Sequence, residues 1–174
     1  MRLFIAIPLP PDIRRSVAAA QTALIHAGAK GRFVPRENFH ITVHFIGESN
    51  SLADLADAMH ESVRDTRPFL LRLAEYGGFA SGSGKTAFLS LTGDLPELNA
   101  LYESLESALW ERGFSRNRSR LSPHITLGRN VTGDQDFILP PQNAAFQVQT
   151  LVLYESRNVN GVMQYTPLHR ESIR

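Results

Sequence analysis

The feature that most constrains this chain is a tripeptide, His-Ile-Thr, that occurs twice. The copies are His40-Ile41-Thr42 and His124-Ile125-Thr126, and each lies in an apolar run typical of a β-strand. Residues i and i+2 of a strand point to the same face, so each copy presents an imidazole beside a hydroxyl on one surface. Two such pairs are the groups that an acid–base reaction at a phosphate requires.

The two copies belong to a longer similarity within the chain. A shift of 84 residues superimposes the motifs, and it also places Phe4 on Phe88 and a helical segment at 12–26 on another at 95–112. A single offset that aligns a strand, a helix and a motif indicates an internal duplication.

Hydrophobic periodicity predicts that each half runs strand, helix, strand, strand. Apolar residues recur at helical spacing in three segments, 12–26, 51–64 and 95–112. Shorter apolar runs predict strands over 2–9, 32–34, 39–46, 69–76, 86–91, 123–127, 146–154 and 163–168, and a Gly/Ser-rich stretch predicts a loop over 77–84.

We therefore predict an α+β fold and one bilobal domain over residues 1–174, with halves of roughly 1–84 and 85–174. Two lobes related by a pseudo-twofold axis would each hold a mainly antiparallel sheet with flanking helices. Such an axis would bring the two motif strands face to face across a central cleft, which is a favoured position for a ligand.

The composition limits the partners and the chemistry. With 18 basic and 17 acidic residues the net charge is +1, which argues against binding polyanions over the whole surface. All but two of the basic residues are arginines, whose guanidinium groups suit bidentate contact with phosphate. The absence of cysteine excludes thiolate nucleophiles, disulfides and cysteine-bound zinc. No apolar run approaches the ~20 residues of a membrane span, and we expect a cytoplasmic protein.

Histidine suits proton transfer near neutral pH because its unperturbed pKa is about 6.5. One neutral and one protonated imidazole on opposite sides of a phosphorus atom would act as base and acid, and His40 and His124 are the candidates. The residues alone leave open which histidine takes which role. Thr42 and Thr126 lie beside them and would donate hydrogen bonds to the non-bridging oxygens.

Two further residues near the motifs have alternative interpretations. Arg129 follows the second motif and is a candidate for binding the phosphate or substrate. It lies five residues after His124, an odd spacing that in a regular strand places it on the opposite face. A turn at Gly128 would redirect it. His44 shares the nominal face of His40, so it belongs either to a metal site or to the wall of the cleft. The chain has no obvious third ligand at a typical spacing, and we therefore expect no metal and a His44 in the cleft wall.

Two motif-like segments do not fit the functions that they superficially suggest. The run Gly82-Ser83-Gly84-Lys85-Thr86 resembles the end of a phosphate-binding P-loop, but Phe79 stands where the pattern requires glycine and an apolar strand follows instead of a helix. Ser122 lacks the G-x-S-x-G context of a hydrolase nucleophile. Nucleoside triphosphate binding and serine hydrolysis are therefore not predicted.

Possible RNA contacts lie just before the second motif. Arg116, Arg118 and Arg120 alternate with polar residues, and in an extended segment they would share one face near the cleft and follow an RNA backbone, or else form a solvated loop. Three phenylalanines are candidates for stacking on a base or for the core: Phe33, Phe39 and Phe114.

Paired H-x-T motifs about half a chain apart, in a cysteine-free chain of this size, resemble the 2H phosphoesterase superfamily. Within it the sequence is most similar to the RNA 2′,3′-cyclic phosphodiesterases, also called 2′-5′ RNA ligases. The resemblance covers nearly the whole chain and is carried by Arg2-Leu3-Phe4-Ile5-Ala6-Ile7-Pro8, by the run from Val34 to Glu48, and by Pro123-His124-Ile125-Thr126-Leu127-Gly128-Arg129. The sequence departs from the family pattern at Phe33, where many relatives have tryptophan.

The resemblance implies hydrolysis of a 2′,3′-cyclic phosphate at an RNA 3′ end to a 2′-phosphomonoester. By the same resemblance His40 is the proton donor, His124 is the proton acceptor, and Thr42, Thr126 and Arg129 bind the phosphate. No metal or other cofactor is implied. The implied partner is RNA, such as tRNA fragments, and the reverse reaction would form a 2′-5′ linkage. We expect a monomer.

Two other functions remain open at this stage. A related two-histidine enzyme would act on a small cyclic phosphodiester, such as a nucleotide-sugar cyclic phosphate. A non-catalytic nucleotide- or RNA-binding module would use the same cleft without turnover.

Overall fold

The computed structural model describes residues 1–117 and 119–174. Within them the strands are β1 (Arg2–Pro8), β2 (Lys30–Phe33), β3 (His40–Glu48), β4 (Phe69–Ser81), β5 (Gly84–Gly93), β6 (His124–Thr132), β7 (Ala145–Val148), β8 (Thr150–Val159) and β9 (Val162–Ser172). The helices are α1 (Pro11–His26), α2 (Leu52–Val63) and α3 (Leu95–Glu111), with one short 3-10 turn at Arg36–Asn38. No helix in the described part of the chain is long and apolar enough to cross a membrane.

The strands form two antiparallel sheets, in the orders β3-β1-β8-β9 and β2-β6-β5-β4-β7. The predicted α+β class with two mainly antiparallel sheets and flanking helices is therefore confirmed. The sheets do not coincide with the predicted halves, because each takes strands from both sides of residue 84. The internal duplication itself stays a prediction.

The two motif strands, β3 and β6, match each other at the predicted offset. Both have nine residues, and each begins at a motif histidine. Each also carries a bulge just after its threonine. Val43 is the extra residue where β3 pairs with β1, and Leu127 is the extra residue where β6 pairs with β5. A bulge places two residues opposite one and reverses the alternation of faces beyond it.

The partner strands do not keep the same offset. His40 lies opposite Pro8, whereas His124 lies opposite Ser90. Ser90 follows Pro8 by 82 residues, so the pairing is displaced by two residues between the two sheets. The gapless alignment of Phe4 with Phe88 thus holds for the sequence but not for the strand register.

Side chains of α1 and α3 each contact the sheet that does not contain the strand before that helix, and these contacts tie the two sheets together. The amide of Gln21 on α1 donates hydrogen bonds to the carbonyls of Val34 and Leu127, beside β2 and on β6, at 2.8 and 2.9 Å. Glu106 on α3 contacts His44 on β3, in the first sheet. The apolar stripes predicted for both helices are buried, including Ile13, Val17 and Leu24 on α1 and Leu98, Leu101, Leu105 and Leu109 on α3.

The predicted loop over 77–84 is wrong. β4 continues to Ser81, and a two-residue turn at Gly82-Ser83 leads directly into β5, with Ser81 paired to Gly84. Two-residue turns are the commonest hairpin connections, and glycine is favoured in them. The segment that resembles a P-loop is therefore this hairpin, and its Lys85 pairs with Asp134 at 3.0 Å.

The prediction of one strand over 146–154 is also wrong. β7 ends at Val148 and β8 begins at Thr150. β7 joins the edge of the five-stranded sheet next to β4, whereas β8 lies between β1 and β9 in the other sheet. An apolar run shows that the residues are buried but not that the chain passes from one sheet to another.

Candidate active site

The cleft between the two sheets contains the five predicted site residues. Both motif histidines, Thr42, Thr126 and Arg129 line one cavity of about 640 Å³. Arg2 and Arg32 line it as well, together with Phe45 and Tyr165. Among the described residues that line this cleft, none is acidic.

The two histidine rings are held in the same way. The Nδ1–H of His40 donates to the carbonyl of Asn38, and the Nδ1–H of His124 donates to the carbonyl of Ser122, each at 2.7 Å. A carbonyl oxygen can only accept, so both rings carry a proton on Nδ1. The Nε2 atom of each ring is then the one that exchanges a proton with a ligand.

Thr42 is hydrogen-bonded to the first histidine. Its Oγ1 lies 2.8 Å from Nε2 of His40. When His40 is neutral, Nε2 is an acceptor and the threonine hydroxyl donates to it. The structure therefore brings together the imidazole and hydroxyl that the i, i+2 spacing predicted on one face.

Aromatic rings pack around each histidine. Phe4 and Tyr165 contact the ring of His40, with centroid distances of 5.0 and 5.3 Å. Phe79 and Phe88 contact the ring of His124, at 5.4 and 5.3 Å. Because packed rings have few alternative rotamers, these contacts fix the direction of both imidazoles.

The pKa of His40 is lowered from its ordinary value. Burial is the main cause, since it penalises the charged form, and the positive charges of Arg129 and His124 lower the pKa further. The hydrogen bond to the Asn38 carbonyl opposes these effects. Arg129 and His124 both lie on β6 and line the same cleft as His40.

A bulge in β6 directs Arg129 into the cleft, and a second backbone irregularity follows it. The bulge at Leu127 and Gly128 restores Arg129 to the face of His124 and Thr126, which a regular strand would not do. Asn130 follows with a φ of +52°, uncommon for a residue other than glycine. The predicted redirection at Gly128 therefore takes the form of a bulge.

Neighbouring strands enclose this irregular segment. A Cβ on Gly31 of β2 would lie 2.9 Å from the Arg129 carbonyl oxygen, and a Cβ on Gly84 of β5 would lie 2.7 Å from the Asn130 carbonyl carbon. Only glycine allows such a close approach on both sides. Backbone packing therefore holds Arg129 in position.

The prediction that His44 lies in the cleft wall is wrong. The bulge at Val43 turns His44 to the other face of β3, where it is 2 % exposed and its Nδ1 lies 2.5 Å from Oε1 of Glu106. The backbone N–H of Asn117 donates to Glu106, and its side-chain amide nitrogen lies 3.2 Å from Nδ1 of His44. His44 thus stabilises the packing of α3 on the first sheet.

Arg116 and Arg120, which precede the second motif, do not line the cleft. The Arg116 guanidinium lies over the Trp110 ring, 5.4 Å from its centroid, and Arg120 lines a shallow groove beside α3 with Tyr102 and Glu103. Of the two alternatives for this segment, the structure favours a loop away from the cleft for these two residues, and Arg118 lies outside the described residues.

The three candidate stacking phenylalanines belong to the core. Phe39 is 2 % exposed, and Phe33 and Phe114 pack against the buried cluster. The exposed ring in the cleft is instead that of Phe45, at 67 %. The sequence indicates Phe45 only indirectly: the 84-residue shift that superimposes the two motifs places Phe45 on Arg129, a candidate site residue.

Sequence reasoning also missed Arg2 and Arg32 as cleft residues. Arg2 begins one of the segments that carry the family resemblance but was assigned no role there. Arg32 has no motif context and reaches the site only because β2 pairs with β6. In the described part of the chain, no three histidine, aspartate or glutamate side chains are grouped as a metal site would require.

Comparison with known proteins assigns the family. Residues 9–160 match the model of the 2′-5′ RNA ligase superfamily. The chain belongs to this superfamily. The resemblance that the paired motifs indicated is therefore confirmed.

Proteins named RNA 2′,3′-cyclic phosphodiesterase are similar over most of the chain. The relative from Geobacillus stearothermophilus is 28% identical over 94% of the chain, and that from Thermotoga maritima is 29% identical over 95%. The chain spans 53% of the length of the first relative and 100% of the second.

Solved structures share the fold over the full length. A structure from Thermus thermophilus superimposes with a TM-score of 0.83 at 27% identity, covering 100% of this chain and 98% of the other. Escherichia coli LigT complexed with 3′-AMP has a TM-score of 0.80 at 27% identity, covering 99% and 97%.

Proposed function

We propose that this protein hydrolyses RNA 2′,3′-cyclic phosphate termini to 2′-phosphomonoesters. One observation carries the proposal: two histidines, each with its Nδ1–H donated to a backbone carbonyl, line the same cleft. The described residues that line this cleft include arginines and no acidic residue. This arrangement suits two proton transfers at a single anionic phosphodiester. The relatives named RNA 2′,3′-cyclic phosphodiesterase support the same reaction.

In the proposed reaction, Nε2 of His124 accepts a proton from water as the water oxygen bonds to phosphorus. The bond between phosphorus and the 3′ oxygen breaks, and Nε2–H of His40 protonates that oxygen. In-line displacement places the attacking and leaving oxygens on opposite sides of phosphorus, which matches one histidine on each sheet. The assignment of donor and acceptor rests on the resemblance to the family.

The lowered pKa of His40 has to be reconciled with a role as proton donor. In the free protein, burial and Arg129 favour the neutral ring. A bound phosphodiester carries a negative charge, which opposes the effect of Arg129 and favours the protonated ring. Substrate binding would therefore raise the pKa of His40 and prepare it as the acid.

The remaining site residues would bind the phosphate. Thr126 would donate its hydroxyl to a non-bridging oxygen, and Thr42 would do so once protonated His40 no longer accepts its hydrogen bond. Arg129 would neutralise the charge that develops in the transition state. No cofactor is needed in this scheme, and excess EDTA should leave turnover unchanged.

Membership of the family supports a proposal for the wider biological role. RNA is the proposed substrate, with tRNA fragments as one source, and the reverse reaction with a 5′-hydroxyl end would form a 2′-5′ linkage. The monomeric state and the cytoplasmic location stay predictions.

The direct test is turnover of a nucleoside 2′,3′-cyclic phosphate in excess EDTA, followed by ³¹P NMR. The expected product is the 2′-monophosphate. Loss of turnover on chelation would contradict the metal-free scheme. Tight binding without turnover would favour a binding module, and turnover restricted to a small non-RNA cyclic phosphodiester would favour the related enzyme class.

A further inference from the structure

Arg32 lies beside the site in a defined relation to Arg129. In the antiparallel pairing of β2 with β6, the two arginines are directly opposite each other. Opposed residues point to the same face, with Cβ atoms about 4.5–5.5 Å apart. Both residues line the cleft. The cleft therefore has two adjacent guanidinium groups on one rim.

This pair of like charges lacks compensation. Like charges opposite each other destabilise a sheet. None of the ion pairs formed by the described residues involves Arg32 or Arg129. Arg2, across the cleft, differs because its opposite residue on β3 is Glu48. An anion bound at the rim would offset the repulsion between Arg32 and Arg129.

The two arginines are at different distances from the reacting centre. Arg129 lies on β6, the strand that begins at His124, whereas Arg32 lies on β2. β2 is also the edge strand, one strand further out than β6. Arg32 therefore lies further from the histidines than Arg129 along the same rim.

The backbone around Arg32 is well anchored. The Val34 N–H donates to the Leu127 carbonyl at 2.9 Å, and the Phe33 ring packs over Gly128, within 3.0 Å of where a Cβ would lie. A side chain on so fixed a backbone can hold a ligand in a definite place.

We propose that Arg32 binds a second phosphate of the substrate, the phosphodiester on the 5′ side of the terminal nucleotide. Arg129 then binds the reacting cyclic phosphate. This inference rests on the proposed function and makes an oligonucleotide, not a mononucleotide, the preferred substrate. A guanidinium can make two parallel hydrogen bonds to phosphate oxygens, so one arginine suffices for each group.

The test compares uridine 2′,3′-cyclic phosphate with a uridine dinucleotide that ends in the same cyclic phosphate. For Arg32→Ala we expect kcat/KM on the dinucleotide to fall about tenfold, mainly through KM, since a charged hydrogen bond is lost. Turnover of the mononucleotide should stay within about twofold of wild type, because it has no second phosphate. Lys30→Ala on the same strand is the control, because Lys30 does not line the cleft, and it should leave both substrates unaffected.

Two outcomes would overturn the proposal. An equal loss on both substrates would mean that Arg32 shares the reacting phosphate with Arg129. No loss on either would mean a solvated arginine. Unfolding of Arg32→Ala by denaturant shows whether the variant is folded, and we expect it to be at least as stable as wild type because a like-charge contact is removed.

A binding experiment separates this proposal from the proposed function. Calorimetry would compare uridine 2′-monophosphate with the dinucleotide ending in the same 2′-phosphate. The wild type should bind the dinucleotide more tightly, and Arg32→Ala should remove that preference. If the wild type turns over neither cyclic phosphate, the proposed function fails, yet this comparison still decides the role of Arg32.

Discussion

Phe45 and Arg129 occupy equivalent positions on the two motif strands, each two residues after the extra residue of a bulge and each in the cleft. One position presents an aromatic ring and the other a guanidinium. The two sides of the cleft are therefore chemically unlike although the histidines are held alike. A substrate with a phosphate on one side and a base on the other would bind in a single orientation, which allows the histidines to have different roles.

We expect His40→Ala and His124→Ala each to lower kcat by about 10²–10⁴, because each removes one proton transfer. The losses should not add in the double variant, since both groups act in one step. Initial rates on a nucleoside 2′,3′-cyclic phosphate measure this effect. His26→Ala, at the end of α1 and outside the cleft, is the control. Wild-type turnover by either motif variant would contradict the two-histidine assignment.

The pH profile of kcat/KM should assign the roles. It reports the pKa values of the free protein, where burial, Arg129 and His124 lower the pKa of His40. If His40 is the acid, activity is lost as the pH rises through this lowered pKa, so the alkaline limb should lie at lower pH for kcat/KM than for kcat. Coincident alkaline limbs would argue against substrate-induced protonation of His40.

Arg129→Gln should change both rate and titration. Removing the positive charge raises the pKa of His40, so the alkaline limb of kcat/KM should move to higher pH while kcat/KM itself falls by about 10²–10³, as for loss of one transition-state donor. Arg15→Gln, an exposed residue of α1, should change neither. Movement of the acidic limb instead would identify His40 as the base.

The two threonines should differ in their effects on the histidines. Thr42→Val removes the hydroxyl 2.8 Å from Nε2 of His40, so it should lower kcat and also shift the His40 titration, measured by NMR of the ring protons. Thr126→Val should lower kcat without shifting the His40 titration. Thr→Ser at either position keeps the hydroxyl and should retain most activity. A Thr42→Val variant with wild-type kcat would remove that residue from the site.

Glu106→Ala should reduce stability and not chemistry. Burial lowers the pKa of His44, so the variant leaves a buried imidazole without the carboxylate that accepts its hydrogen bond, and an unpaired buried polar group costs about 1–3 kcal/mol in the free energy of unfolding. Denaturant unfolding measures this loss, and kcat well below the unfolding transition should be unchanged. Glu103→Ala, an exposed residue of the same helix, is the matched control. A large loss of kcat in folded Glu106→Ala would instead connect this pair to the site.

Much of the site could be predicted from the sequence because its signals are local. Strand alternation places an imidazole beside a hydroxyl in each motif, and this holds in the structure for His40 and Thr42. Helical spacing likewise predicted the buried stripes of α1 and α3. Such patterns need only the preferences of neighbouring residues, and the repeated motif added the family.

Tertiary structure decided the rest. Alternation predicts the face of a side chain only as far as the next bulge, and the bulges at Val43 and Leu127 turn His44 out of the cleft and Arg129 into it. Arg32 reaches the site only through the pairing of β2 with β6, strands nearly 100 residues apart. The sequence by itself determined which groups do the proposed chemistry. Long-range strand pairing and bulges decided which other residues join them in the cleft. The sequence did not reveal these features because neither strand pairing nor a bulge produces a local periodic pattern.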